Sequence, residues 1–319
     1  MENLERRDAR RAVRWPVTVL VVLAALAGGL TLAARGWAGD PAAHGPTPAA
    51  GPRPVDLVER IDAYTGAFAV GAYTAPDADQ RRAVADGVVR TLDGRPDEAG
   101  RLLAGVGYRL TEFTEAVSGR RTAEIADASG ADPRGWGRIY LDLSTPAGWS
   151  AQVPHPVSDS RTEILGAELF RQAPGGVLVL AGAHRRAGTD GSADVAHRSD
   201  TVFAAVVEAL ATRGLPGLQL HGFDEGSLPG TDAVVSSGAG TAGEAAERTA
   251  AALEAAGLVV CRPWQQKCGQ LAGTTNVGGR FAAGLGVTWL HVELANALRT
   301  DPARRAEVVE ALAATARAW

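Results

Sequence analysis

The sequence predicts an α/β fold: a mostly parallel or mixed sheet flanked by helices, preceded by an N-terminal transmembrane helix. Three observations carry this reading. From Trp149 onward, short Val- and Leu-rich runs alternate with amphipathic stretches, which is the grammar of strands connected by helices. The runs are nearly continuous in apolar residues, as strands covered on both faces are. Apolar content of 46% and charged content of 21% over 319 residues suffice for a large packed core.

Taken in order, residues 1–14 form a basic tail holding Arg6, Arg7, Arg10, Arg11 and Arg14. They precede "WPVTVLVVLAALAGGLTLAA", an uncharged run over residues 15–34. A bilayer span takes about 20 apolar residues, whereas a signal-peptide core takes about 7–15. The run has spanning length, and the basic cluster keeps its N-terminal side in the cytoplasm. The expectation is a single-pass anchor with the rest of the chain outside. Small residues near "GWAGD" also fit a long signal that is cleaved to leave a secreted protein. Residues 35–54, with "AGDPAAHGPTPAAGPRP", read as a linker.

Residues 55–145 begin helically. "DADQRRAVADGVVRTL" has apolar positions at helical spacing, and "DGRPDEAGRLLAGVG" turns into a shorter helix. "YRLTEFTEAVSGRRTAEIADAS" alternates around Ser118-Gly119 and predicts a hairpin, and "GWGRIYLDLS" a further strand. This part either extends the main sheet or forms a small domain of its own. Residues 146–319 are the α/β domain. Its strands are "WSAQVP", "GGVLVLAG", "GLQLHGF", "DAVVSS", "GLVVCR" and "VTWLHVEL", with helices over 160–172, 199–213, 241–256 and 301–317. Ser160 with Glu163 and Thr241 with Glu244 have capping-box spacing, and Asp301-Pro302 is a helix start. No internal repeat is visible.

A formal net charge of −4 gives no reason to expect nucleic acid. Cys261 and Cys268 are the two cysteines, close in sequence, and predict a disulfide in an oxidising compartment. A zinc site built on them would need partners at ligand spacing, and none is nearby.

Of the six histidines, His44 lies in the linker. His155, His184, His221 and His291 follow or end predicted strands, and His197 in "DVAHRSD" precedes a helix. Parallel sheets hold ligands outside the C-terminal ends of their strands. Several imidazoles at that edge predict a shared site, since histidine is the commonest metal ligand. In "VPHPVSDSRTE", Asp159 or Glu163 would join His155, and His221 would supply a third ligand from a distant strand. Either carboxylate alone is equally explained as a helix cap. On a strand, "VTWLHVEL" puts Trp289, His291 and Glu293 on one face and Leu290, Val292 and Leu294 on the other. Glu293 and His291 are therefore the catalytic candidates, Glu293 as general base beside an activated water. An ion pair of Glu293 with Arg299 is the alternative. "GTTNVGGRFAAG" reads as a glycine-rich loop with no phosphate-loop lysine, so nucleotide binding is not expected. Arg280 there, or Arg185 in "AGAHRRAG", suits a substrate carboxylate or a scissile carbonyl.

Together, "HPVSDSRTE", "LQLHGF", "NVGGR" and "VTWLHVELANALR" resemble the zinc carboxypeptidase-like hydrolases, nearest to poly-gamma-glutamate hydrolases and, more distantly, N-formylglutamate amidohydrolases. The resemblance covers about residues 150–299. It implies a phosphorylase/hydrolase-like fold and one zinc per chain, held by His155, Glu163 and His221. It further implies Glu293 as the base, with Asn276 and Arg280 on the substrate. Two departures stand out. "HPVSD" replaces a glycine-rich "HGG", which leaves Asp159 and Glu163 both open as ligands, and the family's adjacent Asn-Arg pair is absent. "AGAHRRAG" and "DVAHRSD" have no counterpart, so His184, Arg185 and His197 are candidates for shaping a distinct substrate preference.

The functional expectation is a membrane-anchored, extracytoplasmic zinc hydrolase acting on an amide or peptide bond in a carboxylate-bearing substrate, such as cell-wall peptide or a polyglutamate-like chain. A cell-wall amidase cutting the sugar–peptide link, and a non-catalytic binding protein on the same fold, are the alternatives.

Overall fold

The computed structural model describes residues 53–68 and 73–319. The basic tail, the apolar run over 15–34 and nearly all of the linker lie outside the described residues. Among those described, no helix is long and apolar enough to cross a membrane.

Three helices come first: α1 (Leu57–Thr65), α2 (Ala78–Leu92) and α3 (Pro96–Ala104). Asp56 caps α1 by accepting from the Val58 and Glu59 N–H groups, and Asp77 with Gln80 closes a capping box on α2. β1 (Tyr108–Thr114) and β2 (Arg121–Asp127) form the expected antiparallel hairpin, and β3 (Arg138–Asp142) pairs with β2. Then follow β4 (Trp149–Val153), α4 (Thr162–Gln172), β5 (Gly176–Leu180), α5 (Val202–Thr212) and β6 (Gly217–Phe223). The chain continues with β7 (Ala233–Ser236), α6 (Glu244–Ala255), β8 (Val260–Cys261), α7 (Val277–Leu285) and β9 (Trp289–Ala295), ending with α8 (Asn296–Thr300) and α9 (Pro302–Arg317).

The strands make one sheet in the order β1-β2-β3-β5-β4-β6-β9-β7-β8. It is mixed. Parallel pairs join β5, β4, β6 and β9 at its centre and β7 with β8 at one edge. The remaining pairs are antiparallel, and β3 docking on β5 makes the hairpin region an extension of the same sheet.

Strand alternation sorts the core. Leu178 and Leu180 of β5 pack in a cluster with α1, α4, α6 and α9, whereas Val177 and Val179 pack with α2, α3 and α5. Both faces are covered, which explains the unbroken apolar run of β5. At β4, β6 and β9 the pattern changes. Ala151, Val153, Leu218, Leu220, Leu290, Val292 and Leu294 join the first cluster. The opposite face carries Ser150, Gln152, Gln219, His221, His291 and Glu293, all buried. A buried polar row of this kind is stable only if its groups satisfy one another.

Three local expectations are corrected. α4 starts at Thr162 with Arg161 at its N-cap (φ +67°) and no side-chain cap, so Ser160 and Glu163 do not form a capping box. α6 starts at Glu244 with Gly243 as its N-cap, so Thr241 is not the cap. The "VGGRFAAG" stretch is helix α7 rather than loop. Its glycines allow close packing: a Cβ on Gly279 would sit 2.5 Å from the Trp289 ring, and one on Gly278 2.9 Å from Val207. Asp301 does cap α9, accepting from the Ala303 and Arg304 N–H groups.

Candidate metal centre

β4 leads through α4 to β5 on one side, and β5 leads through α5 back across to β6 on the other. The β4–β6 boundary is therefore a topological switch point, where a crevice opens beyond the strand ends. His155 lies two residues past β4, and His221 is on β6 beside it. β6 pairs with β9 so that Gln219 faces His291 and His221 faces Glu293. Strand register alone thus assembles residues from three distant segments.

His155, Asp159 and His221 are buried, and their ligand atoms lie within 4.8 Å of one another. Asp159 Oδ2 is 3.3 Å from His155 Nδ1 and 3.1 Å from His221 Nδ1, and it also accepts the Gly222 N–H at 3.2 Å. Zinc bonds of about 2.0–2.2 Å at tetrahedral angles separate neighbouring ligand atoms by roughly 3.3–3.5 Å. The spacing and the two-nitrogen, one-carboxylate donor set both fit zinc. His155 Nε2 is 2.7 Å from Asp194 Oδ1; a carboxylate only accepts, so that nitrogen carries a proton and Nδ1 is turned toward Asp159. Asp194 is held in turn by Arg185 at 2.8 Å and by His197 Nδ1 at 3.3 Å.

The electrostatics follow from burial and pairing. Burial pushes His221 down to about 4 despite its contact with Asp159. Burial also acts to lower His155, but its bonds to Asp159 and Asp194 lift it above the ordinary imidazole value. Burial would raise both carboxyls, yet the histidines around Asp159, and His155, His197 and Arg185 around Asp194, hold them well below the usual range.

Glu293 completes the site. Its Oε1 lies 3.2 Å from His291 Nε2, and its Oε2 is buried with no partner among the described residues. It does not pair with Arg299. That guanidinium is buried and donates to three backbone carbonyls: Leu294 at 3.1 Å, Phe223 at 3.2 Å, and Ser160. Each carbonyl is within two residues of a site side chain, so Arg299 ties together the loop after β4, the end of β6 and the end of β9.

A cleft of about 550 Å³ opens on these groups, lined by His155, Arg185, His197, His221, Asn276, His291 and Glu293 together with the loop over 269–275. Asp159 does not line the cleft itself but lies against His155 and His221, which do; three other expected candidates lie away from it. Glu163 is buried and accepts the Val157 N–H at 3.2 Å, and burial raises its carboxyl. His184 closes a local turn, its Nδ1 accepting the Arg186 N–H at 3.1 Å. Arg280 is exposed on the first turn of α7. The expected Cys261–Cys268 disulfide is present, just before the cleft-lining loop. Asp194, Gln152 and Gln219 were not anticipated. Strand alternation held a signal for Gln219, which sits two residues before His221 on the same face. Asp194 had only its place in "DVAHRSD".

No family model and no curated protein matches the chain. Solved structures similar to it include N-formylglutamate amidohydrolase from Ralstonia eutropha JMP134, with 16% identity over 56% of this chain and 95% of that one and a TM-score of 0.39. A bacteriophage poly-gamma-glutamate hydrolase is 16% identical over 56% of this chain and 86% of its own, with a TM-score of 0.40. An aspartoacylase family protein from Mesorhizobium loti MAFF303099 is 16% identical over 55% and 61%, with a TM-score of 0.34.

Proposed function

We propose that this protein is a membrane-anchored, extracytoplasmic, zinc-dependent hydrolase of an amide or peptide bond in a carboxylate-bearing substrate. One observation carries the reading: His155, Asp159 and His221 converge at metal-ligand spacing beside the cleft that Glu293 lines, where its Oε2 is buried with no partner among the described residues. One zinc per chain fits the three donors. When bound, zinc supplies a Lewis acid and lowers the pKa of a water.

The chain's own groups supply the rest. Glu293 takes a proton at Oε2 and later delivers it to the leaving amine, with His291 holding its other oxygen. Asp194 orients His155 through Nε2, a carboxylate–histidine arrangement that fixes the ring and raises its basicity. Arg185 lies on the cleft wall, about a third exposed, and offers a guanidinium to a substrate carboxylate. The disulfide supports an oxidising compartment, and the apolar run over residues 15–34 supports the anchor.

Metal content of the full-length protein tests this, set beside His155→Ala and His221→Ala. The expected result is about one zinc per chain, lost in both variants. Absence of metal from the wild type after refolding with zinc contradicts the proposal.

A further inference from the structure

We infer that a chain of buried amides anchored on the Trp289 indole presets which ring nitrogens of His221 and His291 carry protons, and thereby which nitrogen His221 offers to the metal. The inference rests on the metal reading above.

The indole Nε1–H can only donate, and it lies 3.1 Å from Gln152 Oε1. That contact orients the Gln152 amide, whose nitrogen donates to Ser150 Oγ at 3.2 Å. Gln152 Oε1 also accepts from Gln219 Nε2 at 3.3 Å, which orients the second amide. The Gln219 oxygen must then face the other way, toward Asn276 Nδ2 at 2.5 Å and His221 Nε2 at 2.9 Å. His221 is therefore protonated at Nε2, which leaves Nδ1, 3.1 Å from Asp159 Oδ2, as the nitrogen that would share a metal with that carboxylate.

Asn276 Nδ2 carries a second hydrogen. It lies 3.3 Å from His291 Nδ1 and also 3.3 Å from His221 Nε2, and only the first of these can accept. His291 thus holds its own proton on Nε2, which donates to Glu293 Oε1. Reversing any member brings like against like. A turned Gln219 sets its nitrogen against Asn276 and its oxygen against the Gln152 oxygen. A turned Gln152 sets its amino group against the indole N–H. All these side chains are buried, so water cannot relieve the mismatch.

Backbone packing locks both ends of the relay. A Cβ on Gly279 would meet the Trp289 ring, and one on Gly273 (φ +60°) would sit 2.5 Å from the His291 ring. The glycine-rich stretch before β9 is shaped to this relay rather than to a phosphate. Trp289, Gln152, Gln219 and Asn276 are its positioning residues.

The test is a long-range proton–nitrogen correlation spectrum of full-length protein carrying ¹⁵N-labelled histidine and loaded with zinc. The expected spectrum has His221 and His291 protonated at Nε2 and zinc on His221 Nδ1. Gln219→Leu, which removes the acceptor, is expected to lower zinc affinity about 10–100-fold in competition with a chromophoric chelator. Gln219→Glu keeps the oxygen that faces His221 Nε2 but sets its other oxygen against Gln152 Oε1, so it is expected to retain the His221 proton position and to bind zinc more tightly than Gln219→Leu, at the cost of a lower melting temperature. Zinc on His221 Nε2, His291 protonated at Nδ1, or Gln219→Leu shifting only the melting temperature overturns the relay and leaves the metal site standing. Failure to take up zinc overturns both.

Discussion

Arg299→Met is the perturbation whose cost the structure allows to be worked out. The guanidinium is 3% exposed and satisfies three carbonyls from three separate segments. Losing three buried hydrogen bonds from a charged donor costs roughly 1.5–3 kcal/mol each, or about 6 kcal/mol together. The methionine side chain recovers about 3 kcal/mol by burying apolar surface where a charge was. The net loss is about 3 kcal/mol, a fall in melting temperature of roughly 6–12 °C for a chain of this size. Urea unfolding of the metal-stripped full-length protein reads the loss directly, and Arg299→Lys, able to reach fewer carbonyls at once, is expected between the two. Because Ser160 adjoins Asp159, zinc affinity is expected to fall as well. An Arg299→Met midpoint equal to wild type would refute the clamp.

Three further predictions concern the loop after β4 and the first turn of α4. Burial raises the Glu163 carboxyl above its ordinary value of 4.5, so the folded state favours the protonated form. That stabilisation is complete below about pH 4.5 and is lost as pH rises through the folded value. In metal-free protein, Glu163→Gln is therefore expected to raise the urea midpoint at pH 7 and leave it unchanged at pH 4. The same variant is expected to keep zinc, whereas Asp159→Asn loses it; the opposite pattern would make Glu163 the ligand. Val157, β-branched with φ +66°, occupies left-handed backbone at a cost of about 1–3 kcal/mol. Val157→Gly is expected to stabilise by about 1 kcal/mol in urea unfolding, after the entropy cost of glycine. A destabilised variant would contradict the assigned strain.

Much of this was legible in the sequence because strand alternation is a local signal. "WLHVEL" alone separates His291 and Glu293 from Leu290, Val292 and Leu294, and the core clusters divide the same way. The clustering of His155, His221 and His291 followed from their positions at strand ends. Asp159 and Glu163 could not be ranked, since both have cap spacing and the choice depends on how the loop turns at Val157 and Arg161. α7 was hidden because its glycines, poor helix formers, are required by packing against Trp289, a contact across the fold. The parts played by Asp194 and Arg299 are not legible in the sequence for one reason. Their partners lie on other segments, 39 positions away for His155 and 139 for Ser160. The mixed sheet arises from β3 docking antiparallel on β5 and β7 on β9, long-range pairings that no local pattern announces.

The most direct test of the central claim is the turnover of zinc-loaded full-length protein and its Glu293→Gln variant on carboxylate-bearing peptides and γ-linked glutamate oligomers, with zinc content measured on the same samples. Zinc-dependent cleavage by the wild type, reduced about 10²–10⁴-fold in a variant that still holds its zinc, is the predicted result. Equal turnover by the two proteins would remove Glu293 from the mechanism. Zinc binding without cleavage by the wild type would make the protein a binding module rather than a hydrolase.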